Sequence, residues 1–359
     1  MVSIIYAYRN RELKRIKASL DSLRHQTNKS FEVIFVDYGS KSSLANQIEE
    51  LMKFYSFAIY NYLPTETMLW NKSKALNFGI KNANNPFIFI ADVDIIFSPK
   101  ALDLIIKNTN PYTVNLFTLN YLSQKESQKL YQNYNVDELV INHTGIVNGL
   151  VLASKEAIYK VHGYDEFFHF YGAEDVDLYT RLENAGYDIR KNDVSLFYHN
   201  CHEIYNSYDD SKMSSIPRLF NIKRINQQHY LYHKKNKNII PEMQENWGEM
   251  IDKDKIMQLN NPDVFVQLKN VQSEVIHFFE VELGQIKNKI IKIQITEEDS
   301  QIRWKNNIKK WMGKSTVSMM TIKECNDLIL SKIVNKYRNH YYSYRIAKTL
   351  NQLTLIIQL

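Results

Sequence analysis

Through the first 200 residues, short apolar runs alternate with stretches whose apolar positions recur every three or four residues. Residues 2–8 form a β-rich apolar run, and residues 11–27 carry Leu13, Ile16, Leu20 and Leu23 at helical spacing. Residues 31–36 are apolar again and stop at Asp37-Tyr38-Gly39-Ser40, which supplies a turn former and a helix N-cap. A helix over 43–57, a strand over 58–63, a helix over 72–82 and an apolar run over 86–91 follow, the last ending in Asp92-Val93-Asp94. Strands and helices in this rhythm predict right-handed βαβ crossovers and a parallel sheet covered on both faces. Ligands of such sheets bind at the carboxyl ends of the strands, so residues 8–11, 37–40 and 92–94 are expected along one edge.

The pattern continues with strands over 112–119 and 149–153 and a helix over 155–161. An aromatic stretch from Gly163 to Gly172 runs into a helix that opens at Glu174-Asp175 and closes at Gly186. A strand over 189–197 then delivers His199-Asn200-Cys201-His202-Glu203 to its end. Beyond about residue 205 the character changes. Residues 207–215 are polar and loop-like, 218–233 read as helix, 241–248 break it, 275–295 resemble strand pairs, and 316–359 read as helix with a Tyr-rich basic face over 337–345. The expected organisation is an α/β domain over residues 1–205 and a mainly α-helical extension over 206–359.

Composition narrows the class. With 44% hydrophobic and 23% charged residues, neither a disordered chain nor a fibrous repeat fits the 359 residues. The net charge of +6 belongs to the second part, where residues 206–359 carry 24 Lys and Arg against 16 Asp and Glu. Those charges are scattered, as on a solvated face, so no nucleic acid is expected as a partner. The roles open to the extension are acceptor binding, oligomerisation, docking of another enzyme and contact with a membrane surface. The N-terminus reaches charge at Arg9, too soon for a secretory signal, and no stretch approaches the roughly 18 apolar residues of a membrane span. A cytoplasmic protein, peripheral at most at the inner face of the membrane, is expected. Cys201 and Cys325 are the only cysteines, which excludes a disulfide scaffold and a Cys-only zinc site.

Three groups can carry chemistry. Asp92 and Asp94, two apart at a strand end, offer oxygen ligands to Mg²⁺ or Mn²⁺ bound jointly with a diphosphate. Glu174-Asp175 is either a helix cap or a general base beside an aromatic sugar platform. His199 is either a hydrogen-bonded structural residue or a metal ligand, with His202 as a nearby competitor.

Tyr8-Arg9-Asn10-Arg11, Asp37-Tyr38-Gly39-Ser40, Trp70-Asn71-Lys72-Ser73-Lys74-Ala75-Leu76-Asn77, Asp92-Val93-Asp94 and Gly163-Tyr164-Asp165 through Glu174-Asp175-Val176-Asp177 occur in this order. Together they resemble the GT-A glycosyltransferases, specifically family 2 enzymes of bacterial polysaccharide synthesis and the β-1,4-galactosyltransferase-like group, over about residues 1–203. The resemblance implies a GT-A nucleotide-diphospho-sugar transferase fold with a mostly parallel central sheet. It also implies an inverting, Mn²⁺- or Mg²⁺-assisted transfer of a hexose or N-acetylhexosamine from a UDP-sugar donor to a glycan acceptor. By that similarity Tyr8, Arg9, Arg11, Asp37, Lys72 and Asp92 bind the nucleotide, and Asp94 and His199 bind the metal. Glu174 and Tyr171 hold the acceptor, and Asp175 is the catalytic base. Residues around Gly149 and from Tyr164 to Tyr171 shape the donor and acceptor pockets. Lys72 stands where the galactosyltransferase group has arginine, and Leu196 where it has a methionine ligand, so the phosphate contact loses its planar fork and the metal loses a sulfur donor.

A Rossmann dehydrogenase shares the βα rhythm but needs a Gly-rich turn after the first strand, and Tyr8-Arg9-Asn10-Arg11 holds no glycine. The remaining alternative is a catalytically inactive glycan- or partner-binding protein on the same fold, which has no physical need for Asp92, Asp94, Asp175 and His199 together.

Overall fold

The computed structural model describes residues 1–202, 209–297, 304, 308–309 and 311–359, without the side chains of residues 146–148. Glu203 and the start of the polar stretch expected at 207–215 lie outside the described residues. The chain forms two compact units, one of residues 1–66, 70–207 and 223–251 and the other of residues 67–69, 208–222 and 252–359.

The first unit is built on an eight-stranded sheet of β1 (Val2–Tyr8), β2 (Phe31–Tyr38), β3 (Ala58–Leu63), β4 (Phe87–Ile90), β5 (Ile95–Phe97), β6 (Thr113–Leu122), β7 (Ile141–Ser154) and β8 (Asp188–His199). The strand order is β3-β2-β1-β4-β7-β6-β8-β5. Its helices are α1 (Leu13–Arg24), α2 (Ser42–Met52), α3 (Lys72–Asn82), α4 (Ala101–Lys107), α5 (Gln124–Gln132), α6 (Lys155–Lys160), α7 (Glu174–Asn184) and α8 (Ile222–Asn236). The pairs β1–β2, β2–β3, β1–β4 and β6–β8 are parallel, whereas β4–β7, β6–β7 and β5–β8 are antiparallel.

β1, β2 and β4 are apolar at nearly every position because both of their faces are covered. Val2, Ile4 and Tyr6 of β1 join Val33 and Phe35 of β2 in one core, while Ile5 joins Ile34 and Val36 in the other. β5, α4 and α5 are three to nine residues long, too short to leave a periodic signal, and the sequence pattern did not predict them. Asp92-Val93-Asp94 forms the turn between β4 and β5, closed by a bond from the Ile95 N–H to the Asp92 carbonyl (3.1 Å). The two carboxylates therefore leave a turn and not a strand, and they meet different partners.

The second unit holds a four-stranded sheet, β11-β12-β10-β9, of β9 (Val264–Lys269), β10 (Ile290–Thr296), β11 (Tyr342–Ile346) and β12 (Gln352–Gln358). The strand pairs expected over 275–295 reduce to β10, preceded by the helix Gln272–His277 and tighter and wider helical turns through Gln285. The helix expected over 316–359 spans Ile322–Lys332 and Ile333–Tyr337, after which the chain turns into β11 and β12. Period-two burial decides those strands: Leu353, Leu355 and Ile357 face Ile291, Ile293 and Ile295 across antiparallel pairs. Residues 67–69 belong here because the Tyr344 N–H donates to the Thr67 carbonyl (2.8 Å) and the Leu69 N–H to the Tyr342 hydroxyl (3.1 Å). Among the described residues of this unit helical turns of all kinds, the tighter and wider ones included, outweigh strand, and among the described residues no helix is long and apolar enough to cross a membrane.

Gly79, in the interior of α3, lets that helix lie against β1, since a Cβ there would sit 2.4 Å from the Ile5 Cγ2 methyl. Helix propensity alone favours alanine by about 1 kcal/mol, but overpacking a stiff β-branched neighbour costs about 1–3 kcal/mol. Gly79→Ala is expected to lower stability by about 1–2 kcal/mol in urea denaturation, and a stabilised variant would show that α3 has room to move off β1.

Candidate active site

Asn71 caps α3 by accepting the Lys74 N–H (2.8 Å), which places Lys72 at the first helical position. The Lys72 Nζ lies 3.0 Å from Asp92 Oδ1 and 3.8 Å from Glu174 Oε1. Glu174 and Asp175 reach this lysine because the chain enters α7 through Phe170 (φ 63°), Gly172 (φ 104°) and Ala173 (φ 72°), three left-handed residues within four positions. Left-handed backbone is costly for a residue with a Cβ, and such strain gathers at functional sites. The Gly172 N–H donates to Glu174 Oε2 (3.0 Å).

Gly149 of β7 brings bare backbone against the group. A Cβ there would lie 3.6 Å from Asp92 Oδ2 and 3.7 Å from Asp175 Oδ2, and its φ of +105° favours glycine in any case. Asp175 is buried, and its Oδ1 has no hydrogen-bond partner among the described residues. Burial raises the Asp175 pKa most; Lys72 opposes, Glu174 and Asp92 add, and the carboxyl is pushed up to about 7. Burial alone would lower the Lys72 pKa, but Asp92, Asp175 and Glu174 hold it well above the usual lysine value. The ammonium stays charged while one nearby carboxyl is poised to gain or lose a proton near neutrality.

Asp94 turns to the end of β8. Its Oδ2 lies 3.0 Å from His202 Nε2 and its Oδ1 3.8 Å from His199 Nε2, and one ligand atom from each of the three falls within 4.8 Å of the others. Burial pushes Asp94 up, but the His202 hydrogen bond and the nearby His199, His202 and Arg11 outweigh it and hold the carboxyl at about 2. The Asp94 Oδ1 is buried without a hydrogen-bond partner among the described residues. An ionised carboxylate with a free buried oxygen and two imidazoles is a donor set that fits Mn²⁺. Both histidines reach this position, and His202 is the nearer to Asp94.

Tyr8 and Asp37 are register partners at the ends of β1 and β2. The Tyr8 hydroxyl donates to the Arg11 carbonyl (2.8 Å). Asp37 is buried; burial raises its pKa against hydrogen bonds from Ser40 and from the Tyr60 hydroxyl (3.1 Å). Arg9 is held by the Thr65 carbonyl (3.2 Å) and that of Glu66. Arg11 is exposed. Tyr171 is 46% exposed, with the Lys223 ammonium 5.1 Å from its ring centroid.

The aromatic loop is fixed by residues whose role the motif alone did not reveal. Asn71 Nδ2 donates to the Glu166 carbonyl (2.8 Å), and Asn77 both donates to the Tyr164 carbonyl and accepts its N–H (2.8 Å each). One lies at the cap of α3 and the other six residues on, a spacing that marks no common helix face and so left no periodic signal. Tyr164, one of the expected pocket residues, is buried beside Asp175 together with Tyr179, which was missed because it arrives from the buried face of a helix.

Residues 3–165 match the profile of Glycosyl transferase family 2, and residues 131–205 that of the N-terminal domain of galactosyltransferase. Between them the two matches span residues 3–205, most of the first unit, and both are to glycosyltransferase families. Similar solved structures include S. aureus TarS, at 18% identity and a TM-score of 0.42, covering 56% of this chain and 36% of that one. The mannosyltransferase PcManGT from Pyrobaculum calidifontis, in complex with GDP-Man and Mn²⁺, is 17% identical with a TM-score of 0.44, covering 66% of this chain and 64% of its own. GalNAc-T7 with UDP, GalNAc and Mn²⁺ is 12% identical with a TM-score of 0.40, covering 56% and 43%. The chain therefore spans less than two thirds of each of these proteins, and no curated protein sequence matches it significantly.

The raised Asp175 pKa makes the site a source of pH-dependent instability. Between 3.8 and about 7 the folded chain holds a proton that the unfolded chain has released, so this group's contribution is full below pH 3.8 and is lost as pH rises through about 7. Asp175→Asn is expected to gain on the order of 1–4 kcal/mol over the unmutated protein at pH 8 and nothing at pH 4, read by urea denaturation at both. Lys72→Met removes the cation that lowers the Asp175 pKa, so its carboxyl-carbon NMR titration should move to higher pH; a midpoint that stays put would separate the two residues electrostatically.

Proposed function

We propose that this protein is an inverting glycosyltransferase that moves a hexose or N-acetylhexosamine from a UDP-sugar to a hydroxyl of a glycan acceptor. The observation that carries the reading is the Asp175 carboxyl: buried, free at Oδ1, pushed up to about 7, and faced by a glycine backbone. A general base works best with a pKa near the operating pH.

In this reading Asp175 takes the proton from the acceptor hydroxyl as its oxygen attacks the anomeric carbon. The bond from that carbon to the UDP oxygen breaks on the opposite face, and its electron pair leaves with UDP. No covalent sugar–enzyme bond forms, so the anomeric configuration inverts. Glu174 and Tyr171 hold the acceptor, with the tyrosine face suited to sugar C–H groups. Lys72 offsets charge between Asp92 and the departing diphosphate. Tyr8, Arg9, Arg11 and Asp37 receive the nucleotide at the ends of β1 and β2. Asp94, His199 and His202 would hold Mn²⁺ or Mg²⁺, which supplies charge neutralisation for the diphosphate.

Asp175→Asn keeps the size of the side chain but cannot take a proton, and a positioned base contributes about 10²–10⁴-fold. The variant is expected to lose that factor in turnover while binding donor normally. Near-normal turnover by a folded variant would reduce the acidic pair to a helix cap.

UDP is expected to bind more tightly with Mn²⁺ than in EDTA by calorimetry, and Asp94→Ala to remove most of that difference. Equal UDP affinities for the unmutated protein in both conditions would take the metal out of the mechanism.

A further inference from the structure

A second group of metal-ligating side chains, separate from the proposed transfer site, joins α8 to the aromatic loop. Asp165, His229 and His233 each offer one atom, all within 4.8 Å of one another. His229 and His233 are four apart on α8 and so share one helix face. Asp165 is 1% exposed and His233 is fully buried.

The tautomer of His233 is set from behind. Its Nδ1 lies 2.7 Å from Asp177 Oδ1, and Asp177 is held by the buried Arg181, whose Nε donates to Oδ2 at 2.7 Å. Arg181 also donates to the carbonyls of Val161 (2.7 Å) and Gly163 (2.9 Å), which anchors the pair. A carboxylate paired with arginine accepts only, so Nδ1 of His233 carries a proton and Nε2 is the ring nitrogen turned outward. That Nε2 is buried with no hydrogen-bond partner among the described residues and lies 3.8 Å from Asp165 Oδ2, too far for a hydrogen bond even if it were protonated. An unpartnered imidazole nitrogen facing a carboxylate oxygen across 3.8 Å in a buried position leaves a place for a cation between them.

We propose that Asp165, His229 and His233 form a structural zinc site that clamps α8 to the loop leading into α7. Donor atoms about 2.0–2.1 Å from a tetrahedral zinc lie about 3.3 Å apart, and the observed Asp165–His229 and Asp165–His233 separations of 2.7 and 3.8 Å bracket that value. Two imidazoles and one carboxylate suit zinc better than magnesium, which favours oxygen. Asp177 behind His233 is the carboxylate–histidine partner such sites use to orient a ligand. The Phe167 ring stacks on His229 with centroids 3.8 Å apart, fixing its plane. Asp165 Oδ1 is occupied by the Phe167 N–H (2.8 Å), leaving Oδ2 for the ion. His229 keeps 19% of its side chain exposed, which gives the ion a path in and a water as fourth ligand. Binding displaces the proton now held between His229 Nε2 and Asp165 Oδ2, which passes to Nδ1 of the same ring or to solvent.

The test uses the full chain carrying His199→Ala and His202→Ala, which strips imidazoles from the other candidate site. After dialysis this chain is expected to retain one equivalent of Zn²⁺ by elemental analysis, and Co²⁺ substitution to give the strong visible absorption of four-coordinate cobalt. Adding His229→Gln should weaken zinc binding by about 100-fold or more, and adding Asp177→Asn by about 10–100-fold. EDTA should lower the Tm of the starting chain but not that of the His229→Gln chain. In an otherwise unmutated background, His229→Gln should bind one zinc fewer than the parent. Absence of stoichiometric zinc, or zinc retained unchanged in the His229→Gln chain, would overturn the proposal. Neither result bears on UDP or Mn²⁺ binding at Asp94, so the proposed function stands or falls separately.

Discussion

The charge balance around Lys72 is the constraint on which the catalytic unit depends. Three carboxylates, Asp92, Glu174 and Asp175, converge on one ammonium, and a single positive charge shared with the partly exposed Asp92 cannot compensate both buried ones, Glu174 and Asp175. The balance is met by keeping Asp175, the most enclosed of the three, partly protonated at neutral pH. Asn71 as the α3 cap, Gly149 as a bare backbone wall and the left-handed run into α7 all act to bring those four side chains together. The cost of gathering them is the same feature that gives the site a proton acceptor.

The aromatic loop is held from below by polar contacts and not by apolar packing alone. Glu166 Oε1 accepts from Asn77 Nδ2 (3.0 Å) and the Gly248 N–H (2.9 Å), while Gln244 accepts the Glu166 N–H and donates to the carbonyls of His162 and Tyr164, each at 2.7 Å. Residues 244–248 come from beyond the last strand of the sheet yet are counted with the first unit for this reason. A zinc at Asp165, His229 and His233 would add a further tie from the same side. Each contact removes a way for the loop to relax away from Glu174-Asp175, and pre-organised geometry is worth more to a reaction than extra contacts to the ground state.

The chain spends its glycines with purpose along this edge. Gly39, at φ +73°, closes the turn after β2, where a Cβ would lie 2.3 Å from the Glu66 nitrogen; Gly79 admits α3 to β1; Gly149 admits the carboxylates. In each case the missing side chain is space that a neighbour occupies: backbone at Gly39, the methyls of Ile5 and Val36 at Gly79, and carboxylates at Gly149.

The alternation of apolar runs and helical periodicity determined the sheet-forming strands β1 to β4 and helices α1 to α3, because strands covered on both faces must be apolar at nearly every position. The ordered motifs determined the family resemblance and singled out Asp92, Asp94, Glu174, Asp175 and His199. Only tertiary structure decided that Asp92 and Asp94 diverge, since whether two carboxylates share a partner depends on a turn whose geometry has no periodic signature. It also decided that His202 stands as near the Asp94 position as His199, and that β11 and β12 follow a helix where one continuous helix was expected. The grouping of Asp165, Asp177, His229 and His233 lay beyond sequence reading altogether: these residues are up to 68 positions apart, and the burial that gives them their chemistry exists only once α8 has docked.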